Sequence, residues 1–240
     1  MKNIKLGVNI DHVATVRNAR GEEYPSPLRA ALISEKYGAQ SITIHLREDR
    51  RHIKDKDLQE IKSKLKIPLN LEIAATNEML KIALKHKPHS VCIVPEKRKE
   101  ITTEGGLNLN YKEKLLKKII LKMKTRGIRV SLFIEPNLSD IKKAKKLKSN
   151  CIEIHTGKIC ELINKKKSYK KEFNKIKKAV NVANRLGLEV HAGHGLTYRS
   201  SKVISKIKNI KEFNIGHFLV GESIFSGLKK VISNFKSILR

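Results

Sequence analysis

Along 240 residues, eight short runs rich in Ile, Val and Leu alternate strictly with longer segments whose apolar residues recur at helical spacing. Strict alternation implies parallel strands joined by right-handed crossovers. Eight repeats of roughly 30 residues also suit a closed barrel, whose typical length is about 250. The sequence therefore predicts an α/β fold, a (β/α)8 TIM barrel with additional helices, forming one domain over residues 1–240. A doubly wound open sheet is the alternative that the same alternation allows.

The expected strands, in order, are "KLGVNID" (5–11), "SITIHL" (41–46), "PLNLEIA" (68–74), "SVCIVP" (90–95), "RVSLFIE" (129–135), "CIEIHT" (151–156), "LEVHA" (188–192) and "EFNIGH" (212–217). Each is short and rich in β-branched or aliphatic residues, as strands covered on both faces are. Between them, helix starts carry side chains able to accept from free N–H groups, such as Thr76 ahead of "NEMLKIAL" and Ser139 ahead of "DIKKAKKL". Two connections are too long for a plain barrel. Residues 96–110, "EKRKEITTEGGLNLN", are polar, and Gly105-Gly106 can hinge, as expected of a lid. Residues 157–187 have room for an extra helix before the main one.

Composition narrows the function. Apolar residues make up 40% of the chain and aromatic residues 5%, with no Trp, which argues against a stacking surface for single strands of nucleic acid. No 18-residue apolar run exists to span a membrane. The N-terminal "MKNIKLGVNIDH" lacks the apolar core of a signal peptide. Three cysteines, Cys92, Cys151 and Cys160, without CxxC spacing fit a reducing, cytoplasmic setting. The net charge of +29 comes from lysines spread over many helical segments, alternating with Ile, Leu and Asn. That pattern reads as solvated helix faces and not as one basic stripe, so nucleic acid is not the expected partner. Arginine is scarcer: 12 residues, six of them within the first 51. In a lysine-rich chain, Arg17, Arg20, Arg47, Arg50 and Arg51 suggest a place that needs a planar fork, although some are expected only to pair with nearby acids.

In a barrel of this kind the active site lies at the C-terminal ends of the strands. Reading those ends gives Asn9, Asp11 and His12; His45 and Arg47; Glu72; Glu96; Glu135; Glu153 and His155; His191 and His194; and Gly216-His217. With His52, seven of the nine histidines fall at or just after these ends; His86 and His89 do not. The stretch "HAGHG" (191–195) contains no lysine and two glycines, which let a backbone approach a ligand closely. With Gly216-His217 opening a short helix, Gly193, Gly195 and Gly216 predict a phosphate pocket at the last two strands. Arg47 and His52, with Arg20, suggest a second anion site on the opposite rim. Metal ligation is disfavoured because strand one offers Asp11-His12 and no His-x-His pair. Acid/base work by His45, Glu72 and His194 is the better use of these residues. Cys92 and Cys151 lie inside strands and are expected to be buried and inert.

The segments "GVNIDHVATVRNARG" (7–21), "HLREDRRHI" (45–53), "NLEIA" (70–74), "VPEKRKEITTEGG" (94–106), "SLFIEP" (131–136), "EIHTG" (153–157), "AGHGLTY" (192–198) and "NIGHFLVG" (214–221) together resemble the pyridoxine 5'-phosphate synthase family nearly end to end. The resemblance implies condensation of 1-deoxy-D-xylulose 5-phosphate with 3-amino-2-oxopropyl phosphate, no metal or organic cofactor, and a homo-octamer. It implies that His45, Glu72 and His194 are catalytic. It further implies that Asn9, Arg20, Gly195, Gly216 and His217 contact the amino-ketone phosphate, and that Asp11, His12, Arg47, His52 and Thr102 contact the sugar phosphate. His191 stands where this family's pattern has Asn. The rival reading is another sugar-phosphate barrel lyase or isomerase; a Schiff-base aldolase would need an inward strand Lys, and none is evident.

Overall fold

The structure, a computed structural model, describes residues 3–96, 105–111 and 113–240. Among them, eight parallel strands close into a barrel in sequence order: β1 (Lys5–Asn9), β2 (Ser41–His45), β3 (Leu69–Ile73), β4 (Ser90–Ile93), β5 (Arg129–Ile134), β6 (Cys151–His155), β7 (Glu189–Gly193) and β8 (Ile210–Ile215). β8 pairs with β1 from Lys5↔Glu212 to Val8↔Ile215 and closes the ring. The expected fold is therefore the observed one, with each strand's bounds moved by one or two residues. β1 stops at Asn9 because Asp11 already begins a helix, and β8 starts two residues earlier than expected, leaving His217 to a helix.

The helices are α1 (Asp11–Arg20), α2 (Pro27–Lys36), α3 (Asp55–Lys64), α4 (Asn77–His86), α5 (Glu113–Lys124), α6 (Leu138–Lys146), α7 (Gly157–Asn164), α8 (Lys170–Arg185), α9 (Tyr198–Ile204), α10 (His217–Ser226) and α11 (Leu228–Leu239). The extra ones follow β1, β6 and β8, and the 157–187 connection holds two helices as anticipated. Thr76 caps α4 by accepting from Met79 N at 3.3 Å. Ser139 does not cap α6. Asn137 does, accepting from Asp140 N at 2.8 Å, and the Ser139 hydroxyl also donates to it at 2.7 Å. An Asn two residues earlier reaches the free N–H groups first.

Strand alternation produces two unlike cores. Outward residues such as Leu6, Val8, Ile42, Ile44, Leu71, Ile73, Ile152 and Ile154 are wholly buried against the helices. Burying each contributes roughly 1.5–3 kcal/mol. Inward, among the described residues, Cys92, Val94 and Phe133 form a small apolar cluster; most of the remaining described lumen is polar. No described helix is long and apolar enough to cross a membrane.

Candidate active site

The polar lumen is bonded as a network. Thr43 donates to Asn214 Oδ1 at 3.1 Å, and Asn214 Nδ2 donates to Glu153 at 2.6 Å. Ser90 donates to Asn70 Oδ1 at 3.0 Å, and Ser41 donates to Glu212 at 2.7 Å. β2 and β8 side chains meet here across β1, which is possible because Gly7 lies between them. A Cβ at Gly7 would stand 2.2 Å from Asn214 Oδ1. Gly193 has the same function on β7, where a Cβ would stand 2.1 Å from Glu153 Oε1. Buried polar groups held this way are satisfied and fixed in place.

Above this network sits His45, the last residue of β2. Its backbone N–H donates to Asp11 Oδ1 at 2.8 Å, its Nε2 lies 2.8 Å from Glu96 Oε1, and its Nδ1 lies 3.9 Å from Glu72 Oε2. Asp11 is itself held by Asn9, whose amide group donates to one carboxylate oxygen at 3.0 Å and accepts from the Asp11 N–H at 2.9 Å. Burial is the main cause that drives the Glu72 carboxyl well above its ordinary range; the negative charges of Glu153 and Asp11 add to it. Burial likewise pushes Glu153 to about 7, opposed by His191 and the Asn214 hydrogen bond. Two neighbouring carboxyls of raised proton affinity inside the barrel mark it as a place for proton transfer.

The facing rim carries imidazoles. The His155 and His194 rings lie 4.9 Å apart, and His155 Nδ1 is 2.8 Å from Glu135, which also accepts from Gly106 N. His12 and His217 meet edge to face at 5.1 Å. Desolvation, with the mutual effect of these rings, lowers His12 and His194 to about 4. His194 has φ +77°, a region that costs a side chain of order 1–3 kcal/mol and is kept mainly where function needs it. Gly195 follows at φ +77°.

Two places suit an anion. α10 starts at His217 with no side-chain cap, so its first N–H groups face the mouth unpaired by the helix. The adjacent α9, by contrast, is closed by its own Thr197/Ser200 capping box. The start of α10 is fixed by Phe218, packed edge to face on Tyr198 at 5.0 Å. After β2, which with β8 flanks β1, Arg47 is 3% exposed with Nε 3.6 Å from Asp49, and its charge reaches Asp11 and Glu96. His52 accompanies it, 3.2 Å from the Thr15 hydroxyl, and is lowered to about 4 by burial and by His45, Arg47 and His12.

This arrangement can be set beside known proteins. A family model, the pyridoxal phosphate biosynthesis protein PdxJ, matches residues 6–240. The chain belongs to this family. Among curated relatives, pyridoxine 5'-phosphate synthase of Pelagibacter ubique is 59% identical over 98% of this chain and 98% of its own. The enzyme of the same name from Zymomonas mobilis is 52% identical over 99% and 92%. Among solved structures, 3-keto-L-gulonate-6-phosphate decarboxylase from Vibrio cholerae superposes with a TM-score of 0.65 at 12% identity, covering 97% of this chain and 99% of that one, and speaks for the barrel fold alone.

Measured against the residues that the family resemblance implied, Asn9, Asp11, His12, His45, Arg47, His52, Glu72, His194, Gly195, Gly216 and His217 all stand at the C-terminal end of the barrel or on the loops and helix starts that follow it. Arg20 does not join them: it is exposed in the last turn of α1 and makes no hydrogen bond or ion pair with the cluster. Nine residues of helix separate it from Asp11, roughly 13 Å. Thr102, and with it most of the lid expected at 96–110, lies outside the described residues. Of the other arginines, Arg17 forms a buried two-pronged pair with Asp57, and Arg50 and Arg51 pair with Asp55, Glu78 and Asp49. These are structural, the outcome foreseen for part of the cluster. His191 lies low in the lumen, 2.8 Å from Glu189; burial opposes its protonation, but Glu189, Glu212 and Glu153 outweigh that and raise it.

Reading strand ends names Glu96, Glu135, Glu153 and His155 without giving them work; their bonds in the fold do. Among the described residues, two donor sets come within reach of a shared cation. Asp11, His45 and Glu72 bring one donor atom each within 4.8 Å of one another, and so do Cys151, Glu189 and His191. In the second set, Arg129 already supplies positive charge, 3.1 Å from Cys151 Sγ and 3.0 Å from Glu189. The cysteines are buried, and burial pushes Cys92 well up and Cys160 to about 11, so none is a ready nucleophile.

Proposed function

We propose that this chain is a pyridoxine 5'-phosphate synthase, joining 1-deoxy-D-xylulose 5-phosphate to 3-amino-2-oxopropyl phosphate with release of phosphate and water. The observation that carries the reading is the position of Glu72 and His45, 3.9 Å apart, at a barrel end that also bears an uncapped helix start and a buried Arg47. Proton donors and acceptors between two anion seats suit a reaction in which two phosphorylated substrates exchange several protons.

In the reaction, the substrate amine attacks the sugar ketone, and the carbinolamine loses water to give an imine. Removal of a carbon-bound proton gives an enamine; phosphate leaves, water adds, and carbon–carbon closure with dehydration completes the ring. Glu72 takes the carbon-bound proton. Its raised proton affinity lets it hold that proton until a leaving oxygen needs one. His45 accepts the proton of the attacking amine. His194 protonates a leaving oxygen from the other face. A pKa near 4 leaves it neutral, and the phosphate dianion docking at α10 supplies the negative charge that lets it take up a proton. Asn9, Gly195, Gly216 and His217 hold the amino-ketone phosphate, while Asp11, His12, Arg47 and His52 hold the sugar phosphate. Arg20 and Thr102 are assigned to the same two substrates by resemblance alone. Neither a metal nor an organic cofactor is required by these steps.

The same reading proposes a homo-octamer working in the cytoplasm on small phosphorylated substrates, with no nucleic-acid partner. Support for assembly comes from exposed apolar side chains on neighbouring helices: Phe225 at 87% and Ile224 at 73% on α10, and Val16 on α1. Incubation with both substrates should release one phosphate per pyridoxine 5'-phosphate, read by coupled phosphate assay and product absorbance. Phosphate release without ring product would return the chain to the wider class of sugar-phosphate lyases.

A further inference from the structure

Glu96 lies just beyond β4, on the far side of His45 from Glu72, and both of its carboxylate oxygens are in use. Oε1 is 2.8 Å from His45 Nε2, and Oε2 accepts from the Glu48 backbone N–H at 3.0 Å. Both the His45 and the Glu96 side chain are almost fully enclosed, at 6% and 5% exposure. Burial alone would raise the Glu96 carboxyl. The His45 hydrogen bond, the Glu48 amide and Arg47 oppose this and hold the group below the ordinary carboxylate range. It is therefore an anion, and a carboxylate only accepts. The hydrogen on Nε2 must belong to the histidine.

We infer that Glu96 is a positioning residue: by accepting from His45 Nε2 it fixes the ring's tautomer and leaves the lone pair on Nδ1, the nitrogen turned toward Glu72. The 3.9 Å between Nδ1 and Glu72 is too long for a direct hydrogen bond. Nδ1 is thus kept available to a substrate proton. The His45 backbone is tied to Asp11 at the same time, so ring and main chain are each held by a separate carboxylate. Imidazoles that move protons are commonly oriented by a carboxylate on the nitrogen away from the substrate, which selects the tautomer. The inference rests on the proposed use of His45 as a proton acceptor, and it adds the residue that makes this nitrogen, and not the other, the acceptor.

Neutron diffraction from deuterated crystals tests the tautomer directly, and kinetics tests its consequence. The wild-type protein should show deuterium on Nε2 and none on Nδ1. In Glu96→Gln, the amide can offer its own N–H to Nε2, so deuterium should move to Nδ1. There kcat should fall about 10–100-fold with KM within about twofold, and Glu96→Asp should recover part of the loss. Deuterium on Nδ1 in the wild type, or on Nε2 alone in Glu96→Gln, overturns the inference without any reference to turnover. A changed tautomer with unchanged kcat overturns instead the use of His45 as a base, and the catalytic half of the inference falls with it. The wild-type map decides the tautomer even if the variants do not fold.

Discussion

Glu72 and Glu153 illustrate how far single residues depart from their solution chemistry once enclosed. Glu72→Gln preserves shape and hydrogen-bonding capacity but takes up no proton, so it should retain substrate binding and lose nearly all turnover; single-turnover mixing with a separate binding titration separates the two, and near wild-type turnover would make Glu72 a plain lumen residue. Glu153 allows a stability test. Its carboxyl holds a proton to about pH 7 when folded, whereas an unfolded Glu ionises near 4.3. Because the folded value is the higher one, stability is complete below the unfolded pKa and declines as pH rises from about 4.3 to about 7. Glu153→Gln can still accept from Asn214 and has nothing to ionise. Its Tm advantage over the wild type should therefore grow from pH 5 to pH 7.5 and then level off. His12, His52 and His194 give the opposite trend in acid, but they do so equally in both proteins and cancel in the difference. A Tm difference that does not vary with pH would refute the raised value.

Elements are held in register by pairs that the functional reading at first competes for. Arg17 on α1 grips Asp57 on α3 and also donates to the His52 carbonyl at 3.2 Å, while Asn18 holds the Arg51 and His52 carbonyls. Through these bonds the first helix holds in place the segment that bears Arg47 and His52. Arg17→Ala leaves Asp57 buried without its partner, which should cost about 3–5 kcal/mol. Urea unfolding should show a lowered midpoint, with KM for the sugar phosphate raised. The double variant Arg17→Ala/Asp57→Ala should recover part of the stability, and additive losses would mean that the two groups act independently. The two rim helices after β7 and β8 differ for a similar reason. α9 satisfies its own start with Thr197 and Ser200, whereas α10 begins on Gly216 and has no such cap, so only α10 has N–H groups to spare for an anion.

At the scale of the molecule, the +29 charge and the apolar surface separate. On α8, Lys175, Lys177 and Lys178 are exposed while Ile176, Ala179 and Val180 are buried, an outer face and an inner one with no basic stripe. The two most exposed large apolar side chains among the described residues, Ile224 and Phe225, are adjacent on α10, beside α1. Covering an aromatic ring of this size is favourable by roughly 1.5–3 kcal/mol. Phe225→Glu should lower the mass found by light scattering and leave the monomer's circular dichroism intact. An unchanged mass would take this face out of the assembly.

The sequence by itself determined the barrel, because eight apolar runs in alternation with amphipathic helices have few other ways to bury both sheet faces. It also determined which strand residues turn inward, since period-two alternation places Asn9, His45, Glu72 and Glu153 on one face without reference to the rest of the chain. What only the tertiary structure decided was the partnership among them. That Arg17 pairs with Asp57 and that Glu96 holds His45 depend on contacts between residues brought together by closure of the ring, and that Asn137 and not Ser139 caps α6 depends on the backbone's local path. Alternation along one strand carries no information about which side chain, tens of residues away, will fill the space opposite, and hydrogen bonds and pKa values are set by that neighbour.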